Sequence, residues 1–238
     1  MAFTACIAIA HASGGTGTTP AHLTAALSLD HELRVQGEAG HFYASDGTAY
    51  NRYGADYPNG YLDWGPPARA YARCGSFLTM LLEATSGWTP KMAGFTSASP
   101  SAADYYDAIQ ANYYGLQRVA TFSTIAPGDL LVAKYLDHSG DTGHVMIVNS
   151  AKAGAPDSTG TVKWQVEVVD CASSNHSNDT RVFTSGGMTF STGGVGRGSL
   201  YVYTRNNQVT GWTWSLTSAA YTPAARPLTL GRLALKAY

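Results

Sequence analysis

The stretch 72-ARCGSFLTMLL-82 places a cysteine at the point where a loop gives way to a strongly apolar run. The preceding segment, 63-DWGPP-67, cannot continue as a helix, because its two prolines lack a backbone donor and fix φ. Apolar residues then recur with the spacing of one helix face until Ser86-Gly87, a typical helix end. The sequence therefore predicts a buried helix that begins near Cys74.

A cysteine in the first turn of a helix is a candidate nucleophile. The unpaired N–H groups and the positive end of the helix dipole stabilise a thiolate there, and they also stabilise the oxyanion that forms when a carbonyl is attacked. The alternative is that Cys74 is an inert thiol of the core, since free cysteines are often buried. Polar residues further along the chain bear on this choice.

The composition is typical of one large domain that is rich in strands and loops. The chain has 238 residues, of which 45% are hydrophobic and only 13% charged, with 26 glycines and 15 tyrosines. A formal net charge of −1 argues against a nucleic acid or a polybasic membrane-surface partner. No apolar run approaches the roughly 20 residues that a membrane-spanning helix needs, so we expect no membrane insertion.

The sequence divides into an N-terminal extension, residues 1–35, and a single catalytic domain, residues 36–238, which includes a C-terminal strand. Residues 1–12 are weakly apolar and are compatible with either a partial signal peptide or a first strand. A short helix is predicted from Pro20 to Leu29, because proline is favoured at a helix start.

The chain has three cysteines, so they cannot all pair with one another. A bridge between Cys6 and Cys171 would leave Cys74 free. Three free thiols are equally compatible with the sequence.

Residues 36–73 contain many glycines, tyrosines, aspartates and asparagines without a sustained periodicity. Irregular stretches of this length are commonly functional or poorly ordered, and the many aromatic residues favour order. We interpret residues 41–64 as a tyrosine-rich wall that faces the substrate and includes Tyr61 and Trp64. The alternative is ordinary structural packing.

Several strands and one further helix are predicted downstream. Ser101 opens a capping box for a helix that runs to about Tyr114. The predicted strands are Leu130–Tyr135, His144–Val148, Lys163–Asp170, Leu200–Tyr203 and one in the tail around residues 227–233.

Two polar residues stand at the ends of neighbouring predicted strands. His144 begins one strand and Asp170 ends the next, so antiparallel pairing would bring them to the same end of a sheet. A helix packed on that sheet would bring Cys74 to the imidazole, where the histidine takes the thiol proton and the carboxylate fixes its tautomer. The alternatives are an ordinary strand-edge histidine and an aspartate that caps a turn.

Three motifs together resemble the NlpC/P60 superfamily of papain-like cysteine peptidases and amidases. They are 73-RCGSF-77, 126-APGDLL-131 and 143-GHVMIV-148, in the order that the superfamily uses, and the resemblance covers about residues 60–205. The first motif departs from the usual Asp-Cys-Ser-Gly, which indicates a divergent member.

The resemblance implies an α+β, papain-like fold with the catalytic helix packed on a central antiparallel β-sheet. It implies hydrolysis of an amide bond in a peptidoglycan stem peptide, with no cofactor and no metal. Cys74 and His144 match the nucleophile and base, while Asp170 and His176 are rivals for the third catalytic position. His176 is also a candidate to bind the substrate. Tyr71 and Tyr61 are candidates for the tyrosine that the superfamily places near the oxyanion site.

The implied partner is a peptide or peptidoglycan fragment, and the implied location is secreted, periplasmic or in the cell envelope, while a cytoplasmic one stays open. A transglutaminase-like acyltransferase would use the same three residues. A catalytically idle module that binds glycans or peptides through residues 41–64 is the alternative outside the enzymes. The turn with Asp137, His138 and Asp141 lacks a second ligand cluster and is interpreted as a solvated loop.

Overall fold

A computed structural model describes residues 19–113, 115–138 and 140–234. The elements in chain order are α1 (Ala21–Glu38), β1 (Asn51–Tyr53), β2 (Tyr61–Asp63), β3 (Arg69–Ala72), α2 (Cys74–Ser86), α3 (Pro90–Ala93), α4 (Ala102–Ala111), β4 (Leu116–Arg118), a 3-10 turn (Phe122–Thr124), β5 (Leu130–Lys134), β6 (Gly143–Ala153), β7 (Thr161–Ala172), β8 (Val182–Ser185), β9 (Met188–Ser191), β10 (Gly194–Arg205), β11 (Gln208–Thr213), β12 (Ala220–Tyr221) and β13 (Leu228–Leu233). Within these described ranges, no helix combines the length and hydropathy needed to cross a bilayer.

The fold is a mixed α+β arrangement with mostly antiparallel sheets and few helices. Its centre is an eight-stranded antiparallel sheet in the order β12-β11-β10-β7-β6-β5-β13-β4. The predicted strands at residues 130, 144, 163 and 200 all belong to it, and the predicted tail strand is β13, paired between β5 and β4. The two-residue periodicity of the sequence was therefore a reliable signal in this part of the chain.

The central sheet is buried on both faces because its side chains alternate between two cores. On β7, Val169 and Cys171 face the core that α1, α2 and α4 form with the sheet. Val166 and Val168 point to the opposite core, which β10, β11 and β13 complete. The helix that begins at Cys74 is thus packed against β6 and β7 on one face only.

Helix α2 has the predicted bounds. It begins at Cys74 and ends at Ser86, and Gly87 follows with φ 68°, the left-handed conformation that glycine adopts most easily at a helix end. Helix α4 has the predicted capping box, in which Ser101 and Asp104 bond to each other's backbone N–H groups. It ends at Ala111, because Asn112 takes the left-handed conformation before the predicted end is reached.

Helix α1 is longer than the sequence indicated. It extends past Leu29 to Glu38, since Leu29 and Leu33 continue its buried face into the same core that contains α2. The polar residue that follows Leu29, Asp30, is buried, and it accepts a hydrogen bond from Thr180. The helix crosses residue 35, where the sequence placed a boundary, while residues 1–12 and Cys6 lie outside the described ranges.

The Pro-Gly-Asp turn before β5 joins three parts of the chain. The buried Asp129 accepts a hydrogen bond from the Ala126 N–H and a pair from the guanidinium of Arg232 on β13. The carbonyl of Gly128 lies 2.8 Å from Nε2 of His22 on α1. This motif therefore fixes the sheet and α1 relative to each other.

Residues 41–64 are divided among different contacts and do not form one wall. Strands β1, β2 and β3 make a small sheet beside the main one. Phe42 instead stacks on Phe183 and Phe190 of the β8–β9 hairpin. The indole of Trp64 donates to the Ala25 carbonyl of α1, 2.9 Å away. Long-range packing of this kind has no periodic signal in the sequence.

Candidate active site

Cys74 and His144 meet at the end of β6. Cys74 is the first residue of α2, and its side chain is nearly buried, with 7% of the residue exposed. Its Sγ lies 4.0 Å from the Gly143 carbonyl oxygen, and its charge is among the causes that raise the pKa of the His144 imidazole. Helix α2 packs on one face of the sheet, and the side chain of His144 lies on the other face because side chains alternate along a strand. Cys74 and His144 therefore meet at the edge of the sheet where β6 begins.

Asp170 lies diagonally across from His144 on the neighbouring strand. Strands β6 and β7 are antiparallel neighbours, as predicted, and Asp170 pairs in register with Met146. The two-residue offset lets Nε2 of His144 reach Oδ2 of Asp170 at 2.5 Å. Since Nε2 is engaged there, Nδ1 is the nitrogen left for the thiol.

The charges of these three groups support one another. Burial lowers the pKa of His144, but the negative charge of Cys74 and the hydrogen bond to Asp170 oppose burial and raise it to about 10. Burial raises the pKa of Asp170, yet Arg181 and the two histidines outweigh it and hold that pKa well below its usual range. The arrangement therefore favours an imidazolium at His144 beside an ionised carboxylate at Asp170.

His176 and Arg181 both contact the carboxylate of Asp170. Nε2 of His176 lies 2.8 Å from Oδ2 of Asp170, and Nη2 of Arg181 lies 3.2 Å from its Oδ1. Arg181 also forms a two-pronged pair with Asp179, at 2.8 and 2.6 Å. The side chains of all four residues are fully buried. His176 thus supports the carboxylate and, in this structure, has no surface to offer a substrate.

Two glycines on β10 make room for this buried layer. A Cβ on Gly196 would lie 2.5 Å from Cγ of Arg181, and one on Gly198 would lie 2.6 Å from Cβ of His176. Gly196 pairs in register with Asp170, so both face the same side of the sheet. The pattern 194-GVGRG-198 is the signal that could have revealed the layer, because alternate glycines in a strand indicate a close approach on one face.

Trp214 covers the two histidines. Its ring lies 4.9 Å from that of His144 and 4.4 Å from that of His176, and its Nε1 donates to the Asn175 carbonyl. Beyond it opens a cleft of about 360 Å³ whose walls include His144 and Gly143. Its other aromatic and charged lining residues are Tyr53, Tyr135, Tyr221, Asp141, His138 and Arg226.

Tyr53 is one of three tyrosines whose phenol is affected by the charge of Cys74; the others are Tyr105 and Tyr135. Tyr53 lines the cleft, and burial together with the charge of Cys74 raises the pKa of its phenol. The sequence predicted Tyr71 and Tyr61 for this place, but these two rings pack on each other, and Arg52 lies 3.8 Å above the ring of Tyr71. Pairing of β1 with β3 sets Tyr53 beside Ala72, close to the helix start, a contact that only the tertiary structure reveals.

Cys171 is a second free thiol with different surroundings. It is fully buried on β7 and donates to the Ala72 carbonyl, 3.1 Å away. Burial, together with the charge of the adjacent Asp170, raises its pKa well above the usual value. Such a thiol is chemically inert, which makes Cys171 a natural control for Cys74.

His144, Asp170 and His176 are also residue types that bind metal ions, and their ligating atoms lie within 4.8 Å of one another. However, both Nε2 atoms already bond to the same carboxylate oxygen, at 2.5 and 2.8 Å. The guanidinium of Arg181, 3.2 Å from the other oxygen, would repel a further cation. We interpret the three residues as a hydrogen-bonded network.

Comparison with known proteins leaves this site to be interpreted from its own geometry. No family model, curated protein or solved structure matches the chain.

Proposed function

We propose that this protein is a cysteine hydrolase that cleaves an amide bond. Cys74 is the nucleophile, His144 the base and general acid, and Asp170 the carboxylate that orients the imidazole. One observation carries the proposal: the His144 ring bonds to Asp170 through Nε2, and the Cys74 Sγ lies 4.0 Å from the carbonyl oxygen of Gly143, the residue before His144. A nucleophile, a base and an orienting group in one chain of contacts are what covalent catalysis requires.

The first half of the reaction forms an acyl-enzyme. The Cys74 thiolate attacks the carbonyl carbon of the substrate, and a C–S bond forms. As the C–N bond breaks, imidazolium His144 gives its proton to the departing nitrogen, so the amine leaves neutral. In the second half, His144 takes a proton from water, the resulting hydroxide attacks the thioester, and the thiolate returns.

The start of α2 is suited to stabilise the oxyanion of both halves. The N–H groups of a first helical turn have no acceptor inside the helix and carry the positive end of its dipole. Among the described residues, the side chain of the N-cap residue, Arg73, makes no capping hydrogen bond that would occupy them. Donors at this place stabilise negative charge as it develops.

The resemblance to the NlpC/P60 superfamily supports a papain-like fold and directs the substrate proposal to peptidoglycan stem peptides. The cleft beside His144 is large enough for a few residues of a peptide and carries both an acid, Asp141, and a base, Arg226. Such a lining suits a peptide with charged groups of both signs. A location in the cell envelope or outside the cell belongs to the same proposal.

The test is incubation with purified muropeptides in water enriched in ¹⁸O, with the products analysed by mass spectrometry. Cleavage with one ¹⁸O in the new carboxylate is expected from the parent and from Cys171→Ala, and none from Cys74→Ala. If an amine is added to the same incubation, a product joined to that amine would identify an acyltransferase instead.

Two other outcomes would overturn parts of the proposal. No cleavage, with Cys74 still alkylated rapidly by iodoacetamide near neutral pH, would reject the peptidoglycan substrate and keep the cysteine enzyme. No cleavage and a thiol as slow as Cys171 would reject the enzyme and favour the binding module.

A further inference from the structure

We propose that His176 is a positioning residue of this site and that it donates from both ring nitrogens, as an imidazolium, to the Trp214 carbonyl and to Asp170. The name "positioning residue" rests on the proposed function. The charge of His176 does not, because it follows from hydrogen bonds and burial alone.

The hydrogen bonds of His176 require a proton on each ring nitrogen. Nδ1 lies 2.6 Å from the Trp214 carbonyl oxygen, which can only accept. Nε2 lies 2.8 Å from Oδ2 of Asp170, which already accepts from His144. A neutral imidazole has one donor and one acceptor nitrogen, so it would leave a lone pair facing one of these two oxygens.

The charges of the buried layer favour cations beside its carboxylates. Asp170 and Asp179 are two anions with fully buried side chains, and Arg181 contacts both of them. A carboxylate in a protein interior is costly unless it is paired, so Asp170 stabilises a proton on the His176 nitrogen that contacts it.

The packing around the ring also favours the cation. The Trp214 ring lies 4.4 Å from the imidazole at an interplanar angle of 32°, and an indole face attracts a positive group. The backbone N–H of His176 donates to Oδ2 of Asp179, which ties the loop to the layer. Gly198 lets the ring settle against β10.

The charge of His176 affects Cys74 through two contacts, one with Asp170 and one between Asp170 and His144. A cationic His176 keeps Asp170 ionised and its Oδ2 fixed, and this oxygen in turn holds Nε2 of His144. The other nitrogen of His144 is then aimed at the thiol. The charged or titratable groups that face His176 or its partner carboxylate are Asp170, Asp179, Arg181, His144 and the thiol of Cys171.

The charge is tested directly by ¹⁵N NMR of the full chain labelled at histidine, with His176 assigned through its backbone. At pH 8 an ordinary histidine is mostly neutral and shows one unprotonated ring nitrogen. We expect both nitrogens of His176 to have protonated shifts at this pH, with slowly exchanging ring protons. One unprotonated nitrogen would overturn the proposal, and this result needs neither a variant nor a substrate.

The positioning role is tested by alkylation of Cys74 in His176→Gln, with His31→Gln on the exposed side of α1 as the matched control. We expect the rate at neutral pH to fall about tenfold or more, the scale seen when a partner behind a functional ligand is lost. The rate should also rise more steeply with pH, because the thiol must then lose its proton unaided. Circular dichroism of the variant separates this effect from general damage to the fold, which would also leave Cys74 as an ordinary thiol.

An unchanged rate and profile in folded His176→Gln would overturn the positioning role. If this variant does not fold, the NMR result on the parent decides the charge. A parent protein whose Cys74 resists alkylation would reject the proposed function, while the NMR result would still decide whether His176 is a cation.

Discussion

Replacing Gly196 by alanine should destabilise the protein far more than a single methyl group normally does. The new Cβ would lie 2.5 to 2.7 Å from Cγ, Nε and Cδ of Arg181, closer than real Cβ atoms come to any atom. The guanidinium must therefore move from Asp179, from the Gly194 carbonyl and from Asp170. Breaking a buried ion pair costs ~3–5 kcal/mol, and a typical domain has only ~5–15 kcal/mol in total.

Urea denaturation followed by tryptophan fluorescence measures this loss, and a thermal scan should show the midpoint fall by roughly 6–20 °C. Gly193→Ala is the matched control, because its Cβ would meet nothing closer than 3.4 Å. We expect that variant to change the free energy of unfolding by less than about 1 kcal/mol. If Gly196→Ala behaves like Gly193→Ala, then Arg181 is not held in the buried layer as described.

Three further predictions concern the proposed catalytic groups and the strand that carries His144. Asp170→Asn should lower turnover by about 10³–10⁴-fold, because the amide favours the wrong tautomer of His144. Circular dichroism should show that the fold stays intact. A loss of turnover under tenfold would contradict the orienting role of Asp170. The pKa of His144 is raised to about 10, so its imidazolium form persists below that pH and is lost above it. The rate of acylation, measured by a burst of released amine, should therefore stay level through neutral and mildly alkaline pH and decline past about 10. An inflection of the rate near the ordinary 6.5 would refute the thiolate–imidazolium pair. Gly143→Ala should lower the free energy of unfolding, measured by urea denaturation, by at least ~2 kcal/mol. The φ of 138° at this position is strained for alanine, and the new Cβ would lie 2.0 Å from the Ala133 carbonyl oxygen. Retained stability would show that β6 can shift beneath His144.

Local patterns in the sequence were enough to predict the elements that carry the three residues proposed to be catalytic. The bounds of α2 follow from apolar spacing and from Gly87, and both signals lie within the helix or directly after it. The antiparallel pairing of β6 and β7 places His144 and Asp170 at one end of the sheet because each residue stands at a strand terminus. Neither inference needed contacts between distant segments.

Contacts between distant segments decided what the sequence could not. Trp64 was predicted to face substrate, yet its indole bonds to Ala25 of α1, 39 residues away. Tyr53 takes the place near the thiol that was expected for Tyr71, because parallel pairing of β1 with β3 depends on tertiary packing. An aromatic residue has the same appearance in a sequence whether it lines a cleft or fills a core.

The choice between Asp170 and His176 shows where a finer sequence signal was available. Both residues follow His144 at a plausible distance, so spacing alone could not rank them as the third catalytic group. Gly196 pairs with Asp170, and because Gly196 and Gly198 of β10 have no side chains, Arg181 and His176 have room beside the carboxylate. A strand that omits every second side chain opposite a buried acid must accommodate something large on that face, and 175-NHSNDTR-181, which follows the acid, contains a histidine and an arginine. The structure places both beside Asp170, with the carboxylate bonded to His176 and to His144.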